Sequence, residues 1–279
     1  MFYGRPALTD NLAMLLEAIE YALTPAPSWA RRSGLLHDLI AVKGRYRRHR
    51  CVWEPHLDNT RSAILAAAAL CVRNRTALIL GSGALYDIPL APLCDQFEQV
   101  VLIDAVHPWR ARRIARRQRN AIFAHVDLSG VYDALLLGVA HGADSAPEPR
   151  ISSVPDIEPT DVDLVISANL LSQLPLAPVE FMHRHVTLSP DAETRFARTI
   201  LQAHLDYIAG FSAVTGLITD RTRQTLDRDG SVLRASDALY GLALPAPDRE
   251  WIWDIAPLGE LSRHESSHNH VHAILTPAP

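Results

Sequence analysis

The sequence has few cysteines, no long apolar run and no strong excess of charge. Its 279 residues include three cysteines without a Cys-x-x-Cys pair, which argues against a disulfide framework and favours a reducing cytoplasm. The net charge of −4 argues against a wholly basic nucleic-acid coat. Residues 64–72 form the most apolar stretch, which is too short to span a bilayer, and the first residues lack the apolar core of a signal peptide. We therefore expect a globular cytoplasmic protein without a membrane segment.

An apolar run that ends in a glycine turn is the most informative feature of the chain. Residues 76–80 lead into Gly81-Ser82-Gly83, and a second apolar run ends in Asp104, 21 residues after Gly83. Glycine lets the backbone approach a ligand closely, because a Cβ atom there would collide with it. A carboxylate at the end of the next strand can accept hydrogen bonds from both hydroxyls of a ribose. The pattern predicts the nucleotide-binding half of an α/β fold and an adenosine-type cofactor.

Strand-like and helix-like segments alternate through most of the chain. Five apolar runs are predicted as strands, at about 76–81, 99–104, 121–126, 162–167 and 212–219. Alternation with helices implies a parallel sheet that is buried on both faces. Two last runs, 251–255 and 270–275, are joined by a connection too short for a crossover helix, so they should be antiparallel. The prediction is an α/β fold with a seven-stranded, mostly parallel sheet, helices on both faces and an antiparallel C-terminal pair.

The first part of the sequence is helical by pattern and differs from the rest. Helices are predicted over 7–23, 28–41 and 60–73, and a basic run at 43–50 lies between the last two. We expect two domains on this basis: an N-terminal helical cap over residues 1–58 and an α/β domain over residues 59–279.

Five strand–helix units that close in an antiparallel pair resemble the class I S-adenosylmethionine-dependent methyltransferases over roughly residues 59–279. The resemblance implies S-adenosylmethionine as cofactor and S-adenosylhomocysteine as product. It also implies cofactor contacts from the residues that match the family's motifs: Gly81, Ser82 and Gly83 for the methionine part, Asp104 with Ala105 for the ribose, Asp127 for the adenine amino group, and Asn169 with Leu170 where cofactor and acceptor meet. Ligands of open sheets bind at these carboxyl ends of strands.

One position departs from the family's pattern. Many members carry an acidic residue two positions before the first glycine of the turn, where this chain has Ile79. Asp87 can supply a carboxylate instead, or it can cap the next helix. For a dinucleotide the third small residue of Gly-x-Gly-x-x-Gly would be required, and Tyr86 occupies that position, which disfavours NAD. No P-loop motif is present.

Methyl transfer requires few catalytic side chains, because the methyl group of a sulfonium is already activated and the protein mainly aligns the reactants. A nitrogen or oxygen nucleophile can also need a general base. His56 and His185 are the candidate bases, and Trp53 and His183 are the candidate acceptor contacts, because their segments commonly border the cleft in this fold. The alternative for each is structural: packing for Trp53 and a solvated histidine for the others.

Two other groups of residues carry alternatives. His268, His270 and His272 would share one strand face, but no cysteine accompanies them, so solvated histidines are favoured and no metal is predicted. The arginines fall in two clusters, around 45–50 and 110–119, and either cluster can meet phosphates. Helical charge runs are more often solvated faces. Nucleic acid is therefore the less favoured partner.

The sequence thus predicts a methyltransferase that acts on a small-molecule or peptide acceptor. Three alternatives stay open: an RNA methyltransferase that uses the arginine clusters, a non-catalytic relative that serves as a scaffold or interaction protein, and an NAD(P)-dependent oxidoreductase. Ile79 supports the second alternative, and Tyr86 disfavours the third. The methylated atom and the oligomeric state are not encoded in any recognisable motif.

Overall fold

One sheet organises the protein, whose computed structural model describes residues 24–140, 145–186 and 188–279. The strands are β1 (Thr76–Leu80), β2 (Gln99–Asp104), β3 (Ala121–His125), β4 (Val162–Ala168), β5 (Val214–Leu226), β6 (Val232–Asp237), β7 (Arg249–Ala256) and β8 (Ser266–Thr276). Seven of them follow the order β3-β2-β1-β4-β5-β8-β7, and β6 pairs with β5 off this path. The first five strands are parallel, whereas β8 runs antiparallel to both β5 and β7.

The described helices connect these strands. They are α1 (Ser28–Ser33), α2 (Leu35–Ala68), α3 (Leu90–Gln96), α4 (Trp109–Ala115), α5 (Tyr132–Ala140), α6 (Leu176–His185) and α7 (Pro190–Ala209). Helix α7 begins as the sequence predicts, since Ser189 Oγ accepts the Ala192 N–H and Pro190 occupies the first helical position. No helix in these described ranges is long and apolar enough to cross a membrane.

The central strands are buried on both faces, as expected for a parallel sheet between helices. Every residue of β1 is buried. On one face, Ala77 and Ile79 pack in a cluster with residues of α2, α3 and α4. On the other face, Leu78 and Leu80 pack with residues from the loops after β3 and with Ile208 of α7. Ile79 is thus a core residue, fully buried against the helices.

The predicted fold class is confirmed, and two strands differ from expectation. Strand β5 continues to Leu226 instead of ending near 219, and its last part pairs with the additional strand β6. All six residues of β6 are exposed. Because β6 has no buried face, its sequence lacks the alternation that would have predicted a strand.

The N-terminal helices also differ from expectation. The basic run is helical, and α2 extends from Leu35 to Ala68 with a single non-helical residue, His49, at a kink. Gly34, in a left-handed conformation with φ of +94°, separates α1 from α2. Helix α2 crosses the expected domain boundary between residues 58 and 59, so the division into two domains stays a prediction. The helix predicted over 7–23 lies outside the described residues.

Candidate functional site

The glycine turn after β1 joins the ends of three strands. Gly81 has φ of +82°, and a Cβ atom there would lie 2.8 Å from the Ala168 carbonyl oxygen and 2.9 Å from the Leu170 Cβ. Glycine is therefore required at this position by the neighbouring segment after β4. The Gly83 N–H donates to Asp104 Oδ2 over 2.8 Å, which ties the turn to the end of β2.

Ser82, the middle residue of the turn, points into the protein. It is 1% exposed, and its Oγ lies 3.3 Å from the Ile103 carbonyl oxygen and 2.9 Å from His107 Nε2. Burial lowers the pKa of His107 to about 3, so the imidazole is neutral and supports the turn from below. The Ser82 backbone is also engaged, since its N–H donates to the Ile103 carbonyl oxygen and its carbonyl oxygen accepts the Leu85 N–H, so a cofactor contact from Ser82 stays a prediction. No motif in the sequence indicated this role of His107.

Asp104 occupies the end of β2, where the sequence places a ribose-binding carboxylate. Burial raises its pKa to about 6, while hydrogen bonds from the backbone N–H groups of Gly83, Val106 and Ala105 oppose that rise. The charge of Asp87 contributes to the rise as its smallest cause. At neutral pH Asp104 is mainly ionised and can accept hydrogen bonds from hydroxyl groups.

A cavity of about 130 Å³ opens beside Asp104. Four of the residues predicted to bind cofactor line it together: Asp104, Ala105, Asp127 and Leu170. Trp29 of α1 also lines the cavity, and its ring stacks on Tyr132 at a centroid distance of 5.6 Å. The beginning of the described chain therefore covers this part of the cleft. A volume of this size is below the ~300–1,000 Å³ typical of ligand pockets.

Asp127 acts as a helix cap in the structure. Its Oδ1 accepts hydrogen bonds from the N–H groups of Ser129 and Gly130 and from the Ser129 hydroxyl, and its Oδ2 accepts the Tyr132 N–H. Both oxygens thus anchor the start of α5. Contact with an adenine amino group stays a prediction, and it would be an additional hydrogen bond to a carboxylate that is already engaged.

Asp87 and Asn169 form a polar pair where the glycine turn faces the end of β4. Asn169 Nδ2 donates to Asp87 Oδ2 over 2.7 Å and also lies 3.2 Å from Thr60 Oγ1 of α2. Burial raises the pKa of Asp87. Helix α3 receives no side-chain cap, so Asp87 does not have the capping role that was its structural alternative. The Asn169 Oδ1 is buried without a hydrogen-bond partner.

Trp53 and His56 lie in an aromatic cluster between α2 and β7. The Trp53 indole N–H donates to the Ile255 carbonyl oxygen, and the ring meets Trp253 edge-on at 5.0 Å. The His56 ring stacks on Trp253 at 4.0 Å, and its Nδ1 accepts the indole N–H of Trp251. Burial lowers the pKa of His56 to about 3. These contacts fix α2 on the C-terminal strands, and the acceptor and base roles stay predictions.

His183 and His185 are exposed on α6. His183 Nε2 lies 3.0 Å from a carboxylate oxygen of Glu193 on α7, and the His185 ring packs on Phe181 of its own helix. Within the described part of the chain, neither histidine hydrogen-bonds to the residues that end the strands. Their acceptor and base roles are predictions without support from these contacts.

The histidines of β8 each face a different neighbour. His268 lies 3.7 Å from Asp254 and His272 lies 3.7 Å from Glu250, whereas His270 hydrogen-bonds with Gln224. Among the residues that the structure describes, no group of three or more histidine, cysteine, aspartate or glutamate side chains could hold a metal ion.

The two arginine clusters are partly engaged within the protein. Arg45, Arg48 and His49 converge on Glu260 from the loop between β7 and β8. The hydrogen bond from Arg48 is the main cause that holds the pKa of Glu260 at about 2. In the other cluster, Arg112 lies 2.8 Å from His125 Nε2. These arginines are therefore less available to phosphates than the sequence alone suggests.

A second cavity, of about 270 Å³ and not predicted from the sequence, lies beside the first. Gln173 lines both cavities, and Arg223 and Asn269 line only the second. The buried carboxylate of Asp220 accepts hydrogen bonds from Ser172 and Gln173 behind this wall. A signal was present in the sequence, since the fifth strand was predicted over about 212–219 although further polar residues with strand propensity follow that range.

Comparison with known proteins gives distant similarities. No model of a known protein family matches the chain, and no curated protein sequence matches it. Among solved structures, 1,6-didemethyltoxoflavin-N1-methyltransferase from Burkholderia thailandensis, with bound 1,6-didemethyltoxoflavin and S-adenosylhomocysteine, is 15% identical, with a TM-score of 0.39 over 97% of this chain and 93% of that chain. The DhpI–SAH complex is 16% identical, with a TM-score of 0.34 over 86% of this chain and 95% of that chain.

A third solved structure, a SAM-dependent methyltransferase from Leishmania major, is 12% identical, with a TM-score of 0.31 over 93% of this chain and 82% of that chain. These scores are too low to support an argument, so the fold assignment depends on the sheet itself. Five parallel strands are followed by an antiparallel pair, and the last strand lies between β5 and β7. This strand order agrees with the α/β fold that the sequence resemblance to the class I S-adenosylmethionine-dependent methyltransferases implies.

Proposed function

We propose that the protein is an S-adenosylmethionine-dependent methyltransferase that acts on a small or medium-sized acceptor. The observation that carries this proposal is the position of Asp104: its carboxylate ends β2, is fixed by the Gly83 N–H, and lines the same cavity as Ala105, Asp127 and Leu170. A carboxylate in this position suits the two hydroxyls of a ribose. The apolar side chains of Val126 and Leu128 provide a wall for the adenine ring.

The methionine end of the cofactor would lie against the glycine turn. Its ammonium group is a cation, and the buried carboxylate of Asp87 with the unpartnered Oδ1 of Asn169 offers two acceptors for it. Asp87 is held at the end of β4 by its hydrogen bond from Asn169, whose neighbours Ala168 and Leu170 lie against Gly81 of the glycine turn. Asp87 would thus replace the acidic residue that the family has at the position of Ile79, whose side chain lies in the core.

The cofactor, when bound, supplies a methyl group that is already activated on a sulfonium. The protein's own task is then to hold the acceptor in line with that methyl group and to exclude water. A base with a pKa of about 3 is weak at neutral pH, so His56 would contribute little to proton removal. The geometry therefore supports catalysis by alignment.

Calorimetric titration with S-adenosylmethionine and S-adenosylhomocysteine tests the cofactor assignment. We expect micromolar binding to wild type and a loss of about tenfold to a hundredfold in Asp104→Ala, because a hydrogen bond to a charged group contributes about 1.5–3 kcal/mol. Asp95→Ala, which removes an exposed carboxylate from α3, is the matched control and should bind like wild type.

Absence of binding by wild type would overturn the proposal. A thermal shift with nicotinamide dinucleotides in the same protein would then favour the oxidoreductase alternative. A lack of any response to either cofactor would favour a non-catalytic scaffold.

A further inference from the structure

The second cavity adjoins the proposed cofactor cleft. Its wall includes Arg45 from α2, Gln173 from the segment after β4, Arg223 from β5 and Asn269 from β8. Since Gln173 also lines the cavity beside Asp104, the two spaces meet at this residue. A molecule in the second cavity and a cofactor in the first would therefore both border Gln173.

A β-bulge in β5 puts the polar residues of this cavity on one face. Asp220 pairs with Val271 of β8, Thr222 pairs with His270 and Arg223 pairs with Asn269, so one residue of β5 is extra at this point. Residues three apart on a regular strand point to opposite faces. The extra residue reverses the alternation, so that Asp220 and Arg223 share the face that carries Asn269.

A second bulge lies on the other side of β8, between the residues that pair with His268 and Ser267. Asp254 of β7 pairs with His268, and Ala256 pairs with Ser267, which leaves Ile255 as the extra residue. Ile255 and Ala256 both line the cavity. Bulges are frequent next to functional sites because they redirect side chains. Two of them around one cavity indicate that its wall is shaped rather than accidental.

The charge of the cavity wall favours an anion. Arg45 and Arg223 both line it, and none of its lining residues is acidic. Arg45 is partly neutralised by Glu260, at 3.4 Å. Arg223 donates to the Ser172 carbonyl oxygen over 2.8 Å, but in the described ranges it takes part in no ion pair. A guanidinium group has five donors, and the hydrogen bond to Ser172 uses one of them.

Asp220 is the nearest charge behind this wall. It is 2% exposed, and burial raises its pKa, whereas Arg223, Ser172, Asn269 and Gln173 all lower it. Its Oδ2 accepts the Ser172 hydroxyl over 3.0 Å and the Gln173 Nε2–H over 3.1 Å. Because the Gln173 amide group donates to Asp220, its carbonyl oxygen Oε1 is the end left to accept a hydrogen bond from another molecule.

We propose that this cavity binds the methyl acceptor, and that the acceptor is a small molecule with a carboxylate or phosphate group that Arg223 binds. Gln173 Oε1 accepts a hydrogen bond from the nucleophilic N–H or O–H and orients it towards the cofactor. The acceptor's lone pair forms the new bond to the methyl carbon while the carbon–sulfur bond breaks and leaves its electron pair on sulfur. The proton of the nucleophile passes to water. This inference rests on the proposed function and adds the acceptor class to it.

Matched pairs of probes test the anion site. The pairs are benzoate with benzamide and phenyl phosphate with phenol, and their dissociation constants are measured by NMR titration with and without saturating S-adenosylhomocysteine. We expect one anion to bind about tenfold or more tightly than its neutral partner, because a hydrogen bond to a charged group contributes about 1.5–3 kcal/mol. A preference within the benzoate pair would indicate a carboxylate on the acceptor, and a preference within the phenyl phosphate pair would indicate a phosphate.

Variants assign that preference to one side chain. Arg223→Gln should abolish it, Arg223→Lys should keep part of it, and Arg221→Gln should leave it intact because Arg221 is paired with Asp237. The affinity for S-adenosylhomocysteine should be equal in all three variants and in wild type. Equal binding of the charged and neutral members in both pairs would overturn the inference, and so would a preference that survives in Arg223→Gln.

Failure of the cofactor assignment has a different signature. Anion preference that depends on Arg223, in a protein without affinity for S-adenosylhomocysteine or S-adenosylmethionine, would confirm the anion site but overturn its role as an acceptor site. If Arg223→Gln is unfolded, retained preference in Arg223→Lys together with its loss in Arg45→Gln would assign the anion to Arg45 and overturn the inference.

Discussion

The two neighbouring cavities are built in different ways. The cavity beside Asp104 is formed by the ends of parallel strands. Its carboxylates lie in short loops and accept hydrogen bonds from nearby backbone N–H groups, as Asp127 does from Ser129. The second cavity brings together Arg45, Gln173, Arg223 and Asn269, which are far apart in sequence. The residues of the first cavity therefore belong to short sequence motifs. The second cavity depends instead on strand register and on contacts between residues that are distant in sequence.

The largest effect on the free energy of unfolding is expected at the glycine turn that follows β1. Gly81→Ala would place a Cβ atom 2.8 Å from the Ala168 carbonyl oxygen, and we expect the free energy of unfolding to fall by about 2–5 kcal/mol. Gly230→Ala is a matched control, since Gly230 has the same φ of +82° but no atom within 4 Å of the added Cβ. Urea unfolding of both variants separates steric contact from backbone strain. Equal losses would show that the contact with Ala168 is not limiting.

The next effect concerns His56 at the border between α2 and β7. Its folded pKa of about 3 lies below the ordinary 6.5, so the unfolded chain binds a proton that the folded protein does not. The stability that comes from the neutral ring is present above pH 6.5 and is lost as the pH falls towards 3. For this one group the loss is about 2 kcal/mol between pH 6.5 and pH 5.

His56→Phe should remove that dependence. The difference in free energy of unfolding between wild type and variant, measured by urea unfolding at pH 7, 6 and 5, should shift in favour of the variant as the pH falls. A constant difference across this range would mean that His56 titrates normally, and it would revive its role as a general base.

Asp104 and Asp127 line the same cavity, yet we expect their substitutions to act on different properties. Asp127→Ala removes the cap of α5 and should lower the free energy of unfolding by about 1–2 kcal/mol, with at most a small change in affinity for S-adenosylhomocysteine. Asp104→Ala should mainly reduce that affinity. Thermal unfolding and calorimetry on both variants test the contrast. A loss of affinity in Asp127→Ala as large as in Asp104→Ala would instead establish Asp127 as a cofactor contact.

The same division explains what the sequence could predict. The glycine turn, Asp104 and the order of strands and helices were predictable, because each depends on a short segment with its own periodicity or turn chemistry. The strand β6 was not, since none of its side chains is buried. Helix formation in the basic run was also missed, because Arg45, Arg48 and His49 bind Glu260, a residue more than two hundred positions away.

The face of Arg223 is the clearest case of information that no local pattern holds. Simple alternation places it opposite Asp220, and only the bulge in the pairing of β5 with β8 brings both to one side. The register of β5 is decided by its partner strand β8, which also pairs with β7 through a bulge. The second cavity could therefore be found only after the strands had been paired.

The smallest effect is expected for a substitution of Glu260, which contacts both α2 and the wall of the second cavity. Its carboxylate neutralises Arg45 at the wall of the second cavity while it binds Arg48 and His49. Glu260→Gln should cost no more than about 1 kcal/mol of stability, since pairs with exposed partners contribute about 0–1 kcal/mol. The same change leaves Arg45 without its partner, so the affinity of the preferred anionic probe should rise by about twofold to threefold at low salt and less at high salt. Unchanged affinity at low salt would show that the charge of Arg45 does not act on a ligand in the cavity. Arg223 would then be the sole anion contact among the lining residues.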